Sequence, residues 1–543
     1  MTNSKSIHRL LVFLLSAFVL ALLSLALTPH ASYGQSSGWS SPSRISAKGQ
    51  TSWFPDVAVD SAGTVHIVWS SGILDYDLVF HTAFLRDGTK LDPLEIRAMY
   101  KTGGEATRPT LFADKWGFLH MTFRDTQVYY SQVNAFQAHS AKYWNVDTSI
   151  SEGYFSRVAV DSKGRIHYIF TRNVITGACQ VCYHVFYIWS EDGGVTWSVE
   201  TDVSRGPLGA AKPQIVIDQN DNLHVVWEAG IGGSYGQLTD TDPTQVMYAG
   251  SYDNGETWET PLQLNPSDMI TKSITMGIDS KARLIVVWWN INDDAVFYQI
   301  STDLGKDWSL PLRLPGVLGI WSEYHSRLDD YAIAMDSAGN VHLVFVGRLD
   351  DRVEATAISS TPDVKTPTPT PTRTPTPTAT PMGPKPTPDL RMRLSVLHMT
   401  WNGETWSRPD VLASYVGDAP EWPRIAVGLG NQLHVVWFVR AEKDIWKGGG
   451  DYTVWYSSKT INAPMLTPAA YPTVIPVETK EVIQQLVDTP TATPVMEMPE
   501  NVQQSTGKLV YKEMDYLSVA AFSTLPVVFF VGIFVLISRK LRR

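Results

Sequence analysis

Residues 55–69 read PDVAVDSAGTVHIVW, and variants of this stretch recur along the chain. Each copy holds two short runs of β-branched and aromatic residues around a turn such as Asp-Ser-x-Gly, a pattern typical of a β-hairpin. The other copies are PTLFADKWGFLHMTF at 109–123, which is looser, SRVAVDSKGRIHYIF at 156–170, PQIVIDQNDNLHVVW at 213–227, ITMGIDSKARLIVVW at 274–288, YAIAMDSAGNVHLVF at 331–345 and PRIAVGLGNQLHVVW at 423–437. Seven hairpins in one chain indicate a repeat protein built from strands.

The residues after each hairpin define the rest of the repeat. A third run of strand-forming residues follows, and a fourth begins at a tryptophan, as VMYAGS at 246–251 and Trp258 illustrate. Four short strands in about 50 residues form one blade of a β-propeller. We therefore predict an all-β fold: a single closed propeller of seven blades, each of four antiparallel strands. Six blades remain the alternative, because the copy at 109–123 is loose.

The ends of the repeat array predict how the propeller closes. Residues 38–42, GWSSP, resemble a fourth strand with no blade before it, whereas the last copy stops near Lys459, after its third strand. Pairing the two would remove exposed sheet edges, so we predict one propeller over residues 36–460. The Thr/Pro-rich stretch at 361–388 holds almost no apolar side chains to bury and is predicted to be a disordered insertion within blade six.

Both ends of the chain carry long apolar runs. Residues 1–34 have the basic start, apolar middle and small residues of a signal peptide, with a retained membrane anchor as the alternative. Residues 516–538 lack charge and predict a transmembrane helix, and 539–543 predict a basic cytoplasmic tail. The Pro/Thr-rich residues 461–512 predict a stalk. We expect a single-pass protein of the cell membrane with its propeller outside.

The composition argues against several functional classes. Acidic residues outnumber basic ones by 54 to 44, and a net charge of −10 does not favour nucleic-acid binding. Cys179 and Cys182 are too few for a zinc site and are expected to form a small loop disulfide. One histidine per blade cannot form a compact metal cluster, so we expect structural histidines satisfied by a neighbouring blade, and no metal or cofactor. These histidines are His66, His120, His167, His224, His342 and His434.

A sharper motif lies between the third and fourth strands of three repeats. It reads SEDGGVTW at 190–197, SYDNGETW at 251–258 and STDLGKDW at 301–308, with a degenerate NGETW at 402–406. The pattern resembles the Asp box of the sialidase (BNR-repeat) superfamily of β-propellers, and the resemblance covers roughly 36–460. In such a turn Asp accepts backbone N–H bonds, Gly supplies a positive φ and Trp packs between blades. The resemblance places the turn opposite the active site and implies structural roles for Asp192, Asp253 and Asp303.

The resemblance also implies an active site, from which this chain departs. Sialidases bind the substrate carboxylate with an arginine triad, and they use a Tyr nucleophile helped by a Glu and an Asp acid/base. Their first arginine lies in a Phe/Tyr-Arg-Ile-Pro motif that opens the first blade. The matching stretch here is Ser52-Trp53-Phe54-Pro55, with Trp53 in place of the arginine. This departure weakens the expectation of an enzyme.

The candidate site residues come from loops that share one face of a propeller, before the first strand and after the second strand of each blade. We predict Glu228, Tyr324 and Asp125 as catalytic candidates. The ligand-binding candidates are aromatic rings and arginines, which suit a carbohydrate or an acidic ligand. They are Trp53, Arg108, Arg124, Arg172, Trp289, Arg348, Trp422, Arg424 and Arg440.

Three functions remain open at this level. The first is a cell-surface-anchored, non-catalytic propeller that binds a glycan or a surface protein on its loop face, which fits the stalk, the anchor and the missing arginine. The second is an exo-sialidase or a related glycoside hydrolase or lyase. The third is a structural protein of the cell envelope. Fold alone does not choose among them.

Overall fold

The computed structural model describes ten segments of the chain. They are residues 38–73, 76–100, 108–145, 147–175, 182–231, 242–266, 269–320, 330–350, 393–441 and 450–470. The predicted signal peptide, Thr/Pro-rich insertion, transmembrane helix and cytoplasmic tail lie outside them. Within these ten segments there is no helix of the length and apolarity that a membrane span requires.

The regular secondary structure of the described residues is almost entirely β-strand. Two short 3-10 helices at Ala135–Gln137 and Ala141–Tyr143 interrupt the strands. The strands in chain order are β1 Ser43–Arg44, β2 Thr51–Val59, β3 Val65–Ile73, β4 Tyr76–Phe84, β5 Leu94–Tyr100, β6 Thr110–Ala113, β7 Phe118–Arg124, β8 Gln127–Asn134, β9 Thr148–Glu152, β10 Ser156–Val160, β11 Ile166–Val174, β12 Cys182–Ser190, β13 Thr201–Asp202, β14 Gly209–Ile217, β15 Leu223–Ile231, β16 Gln245–Ser251, β17 Leu262–Gln263, β18 Thr271–Ile278, β19 Leu284–Asn290, β20 Ala295–Ser301, β21 Leu312–Arg313, β22 Val317–Leu318, β23 Ala332–Met335, β24 Val341–Leu349, β25 Arg393–Trp401, β26 Asp410–Val416, β27 Asp418–Gly428, β28 Gln432–Ala441 and β29 Thr453–Thr460.

These strands form seven antiparallel sheets, which confirms the predicted seven-bladed propeller. The first five blades are β2–β5, β6–β9, β10–β13, β14–β17 and β18–β21, and the seventh contains β27, β28, β29 and β1. Blade six departs from the predicted four strands. Two separate strands, β22 and β23, pair with different ends of β24, so this blade has five. Its innermost edge is therefore divided into two pieces.

The first and last parts of the array close the ring together. Strand β1 pairs with β29 through Ser43↔Tyr456 and Arg44↔Trp455. Beyond β29, residues 461–470 run across neighbouring turns, where Leu466 N–H donates to Leu429 O at 2.8 Å and Ala469 N–H donates to Ser61 O at 2.8 Å. The second contact joins blade seven to blade one independently of β1.

In blades three, four and five, the turn between the third and fourth strands packs against the preceding blade. In the turn at 251–258, Asp253 Oδ1 accepts from Thr257 N–H at 2.8 Å and from Ser251 Oγ at 2.9 Å. Gly255 has φ +91, and a Cβ there would overlap the Tyr187 hydroxyl of the preceding blade. The Trp258 ring meets the same Tyr187 ring edge-on at 5.0 Å. Trp197 and Trp308 contact Tyr130 and Tyr248 in the same way.

The repeated histidines find their partners within their own blades, which corrects the expectation of a partner in a neighbouring blade. In blade two, His120 Nε2 lies 3.1 Å from Asp114 Oδ2, in the hairpin turn, and its Nδ1 lies 2.7 Å from the Tyr130 hydroxyl, on the third strand. Blade five has Ile285 instead, and there Arg283 Nε donates to Asp279 Oδ2 at 2.7 Å. The chain of contacts from turn Asp to His to Tyr ties three strands of one blade together.

Candidate functional site

The first strands of the blades carry a repeated distortion at their starts. We call the side on which these strands begin the pocket face, and the side with the hairpin turns the turn face. The hairpin turn between the first two strands has one equivalent position in every blade, which is Asp60 in blade one and Gly428 in blade seven. Six residues before this position, five blades have a non-glycine residue with φ between 46° and 58°. Left-handed backbone costs such residues about 1–2 kcal/mol, and strain of this kind concentrates at functional sites. These residues are Phe54, Arg108, Lys212, Ser273 and Trp422.

A cleft lies where several of these strand starts meet. The empty space in and above this cleft, open solvent included, is ≈ 320 Å³. Blades two, three, four, six and seven all contribute to its wall. The lining residues are Arg108, Thr110, Tyr154, Phe155, Ser156, Arg157, Lys212, Pro213, Gln214, Asp330 and Trp422. Among the predicted ligand-binding residues, Arg108 and Trp422 thus line one pocket.

Asp330 collects side-chain donors from three other blades. Its Oδ2 lies 2.7 Å from Arg424 Nη2, 3.5 Å from Arg157 Nη2 and 3.3 Å from Gln214 Nε2. Its Oδ1 accepts from Tyr331 N–H at 3.1 Å. Asp330 is 0% exposed, so these contacts replace the water that its charge would otherwise need.

Asp56 supplies a second carboxylate beside the same arginines. Its two oxygens accept from Val57 N–H and Leu111 N–H, both at 2.9 Å. Burial raises the pKa of Asp56, while Arg157 and Arg424 act to lower it. Burial and the charge of Arg424 lower the pKa of Arg157 to about 10, so Arg157 remains a cation at neutral pH. When all four groups are ionised, the two arginines and two aspartates cancel in formal charge.

Arg108 and Tyr154 form a second part of the wall. The Arg108 guanidinium carbon lies 4.2 Å from the Phe54 ring centre and 4.7 Å from that of Tyr154, and its Nη2 donates to the Tyr154 hydroxyl at 2.7 Å. Arg124 lies 4.2 Å from the same Tyr154 ring, and its Nε donates to Gly153 O at 3.2 Å. Two cation–π contacts and a hydrogen bond therefore hold the tyrosine in place.

The predicted catalytic residues are not seen together in this pocket. Glu228 is 1% exposed and does not line the cleft. Its Oε1 accepts from Ser273 N–H at 2.8 Å and lies 3.5 Å from Lys212 Nζ, and burial raises its pKa. Asp125 follows β7 and is partly exposed. Tyr324 lies outside the described residues.

The remaining predicted arginines are held by carboxylates of the protein. Arg440 Nε lies 2.6 Å from Glu421 Oε1, Arg172 Nη2 lies 3.0 Å from Glu200 Oε2, and Arg348 pairs with Asp294. Only the Arg172 pair is substantially exposed, at 34% and 33% for the two side chains.

The other predicted site residues occupy varied positions. Trp53 and Trp289 are buried in two different apolar clusters. Cys182 begins β12 and is disulfide-bonded. Its predicted partner, Cys179, lies outside the described residues. In the described segments no three His, Cys, Asp or Glu side chains are placed to hold a metal ion.

The predicted site residues do not include the pocket-lining residues Tyr154, Arg157, Lys212, Gln214 and Asp330. One signal was present: four residues before the turn Asp, an inward position of the first strand carries a charge in some copies. Arg157 and Asp56 stand there, where blades two and five have Thr110 and Thr275. Charged residues are rarely buried without a partner, so this position predicts a polar cluster at the centre of the propeller.

Comparisons with known proteins concern the fold. No protein-family model and no curated protein matches this chain. Similar solved structures include a polysaccharide lyase, PL25 ulvan lyase, at 11% identity and a TM-score of 0.47 over 76% of this chain and 94% of the lyase. They also include the NanB sialidase of Streptococcus pneumoniae, at 9% identity and 0.43 over 80% and 99% of the two chains. A third is the intramolecular trans-sialidase of Ruminococcus gnavus, at 11% identity and 0.36 over 81% and 98%.

Proposed function

We propose that this protein is a cell-surface-anchored, non-catalytic propeller whose central pocket binds a saccharide. The observation that carries the proposal is the lining of the pocket. Tyr154, Phe155 and Trp422 provide apolar wall, while Arg157, Gln214 and Asp330 place hydrogen-bonding groups among them. Saccharide sites combine these two kinds of surface, because a sugar ring has apolar faces and a rim of hydroxyls. The predicted C-terminal helix would anchor the protein in the cell membrane.

The state of Glu228 favours binding over hydrolysis. A nucleophile's helper or a general acid must reach the bond that breaks, within hydrogen-bond distance or through one water. Glu228 instead accepts a hydrogen bond from the Ser273 backbone and lies 3.5 Å from the lining residue Lys212, without lining the pocket itself. This position fits a residue that stabilises the distorted strand start of the next blade.

A hydrolase of the sialidase type is the second candidate. Arg157 and Arg424 converge on one carboxylate, Asp330, and arginines that converge on a carboxylate are the chemistry expected of an acidic-sugar site. Because that carboxylate belongs to the protein, the arrangement supports this candidate less than the first.

Glycan-array screening of the full-length protein, followed by calorimetric titration of the best saccharide, tests the proposal. We expect binding without release of product, and at least about tenfold weaker binding by Gln214→Ala, which removes a pocket side chain. The matched control is Gln245→Ala, on β16 of the same blade, where the side chain bonds Gln263 outside the pocket. Equal weakening by both variants, or hydrolysis of a fluorogenic aryl sialoside, would contradict a non-catalytic pocket site.

A further inference from the structure

We propose that Asp330 acts as an internal counterion in the place that a ligand carboxylate would take, and that it makes the pocket select uncharged over acidic saccharides. The selectivity rests on the proposed function. The counterion role concerns this chain alone.

The geometry of the cluster supports the counterion role. Arg424, Arg157 and Gln214 come from three different blades, and all direct a donor at the same oxygen, Asp330 Oδ2, at 2.7, 3.5 and 3.3 Å. Two guanidiniums and an amide around one oxygen form a carboxylate-binding arrangement. Asp330 and Arg157 both line the pocket, so a bound ligand would lie beside the carboxylate as well as beside one of the arginines that it neutralises.

Asp56 shows what a structural carboxylate in this cluster looks like. Its oxygens accept from two backbone N–H groups, and it does not line the pocket. In the described segments, by contrast, every contact seen at Asp330 Oδ2 comes from a side chain. Side-chain donors can be transferred to another anion without unmaking a strand, whereas the backbone donors of Asp56 cannot.

The consequence for a ligand follows from charge. An acidic saccharide in the pocket would bring a second carboxylate beside Asp330, where the arginines are already neutralised. Like charges that share a buried site disfavour each other's ionised forms, and repulsion of this kind discriminates between ligands. An uncharged saccharide meets no such penalty, and it can donate hydroxyl protons to Asp330.

Removal of the side chain tests the counterion role. In Asp330→Ala the vacated space should accept a small carboxylate, so acetate should raise the melting temperature of the variant in a saturable manner. Acetate should leave the wild type unchanged. Asp56→Asn is the control: it removes a charge from the same cluster, and acetate should not restore it. Circular dichroism establishes folding, and if Asp330→Ala does not fold in buffer alone, it is refolded in acetate and in chloride at equal ionic strength, where acetate alone should restore the folded spectrum.

Selectivity is tested with methyl glucoside and methyl glucuronide, which differ at one carboxylate, beside the best saccharide from the array. Asp330→Asn should bind the glucuronide at least about tenfold more tightly than the wild type does, with the glucoside changed less. Absence of both acetate rescue and this gain would overturn the inference, whatever the wild type binds. Rescue by acetate in a protein that binds no saccharide would support the counterion role and refute the proposed function.

Discussion

The turn face and the pocket face of this propeller carry opposite patterns of residues. On the turn face, Asp occupies the hairpin position in six of the seven copies, with Gly428 the exception, and the His that follows it occurs in six, with Ile285 the exception. Six residues before the turn Asp, on the pocket face, the seven copies share no common side chain. They have Phe54, Arg108, Phe155, Lys212, Ser273, Asp330 and Trp422.

The two faces differ because the contacts of the turn face are local in sequence and those of the pocket face are not. The Asp, His and Tyr of the turn face lie within one blade, so every blade can use the same residues. The pocket face brings strand starts from five blades together, and a charge from one blade needs an opposite charge from another. Identical residues at that position would place like charges side by side.

We expect the largest effect from a variant that disrupts the charged cluster around Asp330 on the pocket face. Arg424→Ala leaves Asp330 buried without its nearest partner, and loss of one member of a buried ion pair costs about 3–5 kcal/mol. Urea unfolding followed by circular dichroism measures the cost. Arg172→Ala is the control, since the pair with Glu200 is about one-third exposed and should be worth about 1 kcal/mol or less. Equal costs would show that the cluster does not hold a buried charge.

We expect the next largest loss of stability from a variant that disrupts a contact between blades on the turn face. Gly305 has φ +90, and a Cβ there would overlap the Tyr248 hydroxyl, which His224 holds at 2.8 Å. Gly305→Ala should cost about 3 kcal/mol, the sum of left-handed strain and overpacking. Gly88, with φ +86 and no atom within 4 Å of its Cβ position, is the matched control, and Gly88→Ala should cost about 1–2 kcal/mol. If the two variants unfold at the same urea concentration, the tyrosine contact contributes nothing.

We expect the smallest effect, a change in the pH dependence of stability, from a histidine of the turn face. Burial lowers the pKa of His434 from 6.5 to about 4, so between these values the unfolded chain binds a proton that the native protein does not. The contribution of His434 to stability is therefore complete above pH 6.5 and falls as the pH is lowered toward 4, by about 2 kcal/mol between pH 7 and pH 5. Urea unfolding at both pH values should show a smaller loss for His434→Ile, which copies Ile285 of blade five.

Tyr456→Phe controls for the loss of a hydrogen bond at the same place. The Tyr456 hydroxyl lies 2.8 Å from His434 Nδ1, but burial alone lowers the pKa of the histidine. This variant should be less stable at both pH values and should keep the full pH dependence. A pH dependence that is unchanged in His434→Ile would assign the acid sensitivity to other groups. His81 and His398 are the first alternatives, because burial also lowers their pKa values well below 6.5.

The sequence predicts much of the fold and little of the site. Alternating residues and repeated turns indicate seven blades, because strand periodicity and turn chemistry are local properties. Arg108 and Trp422, two of the predicted ligand-binding residues, line the pocket, and their role in binding stays a prediction. Glu228 looked like a loop residue after a strand, yet it is buried, because the distorted start of β18 in the next blade brings Ser273 N–H to it. No residue close to Glu228 in the sequence indicates the backbone distortion at Ser273.

Strands, turns and the number of repeats can be read from the chain, since each depends on residues within a few positions of one another. Which charges meet depends instead on how the blades pack around the ring. Residues of the cluster are up to 267 positions apart in the sequence, which is 424 minus 157. Nevertheless, one carboxylate oxygen of Asp330 is contacted by Arg424, Arg157 and Gln214. The pairing of β1 with β29 completes the sheet of blade seven, whose Trp422 lines the pocket. A buried charge is stable only with a compensating partner, and the arrangement of the blades around the ring determines which residue that partner is.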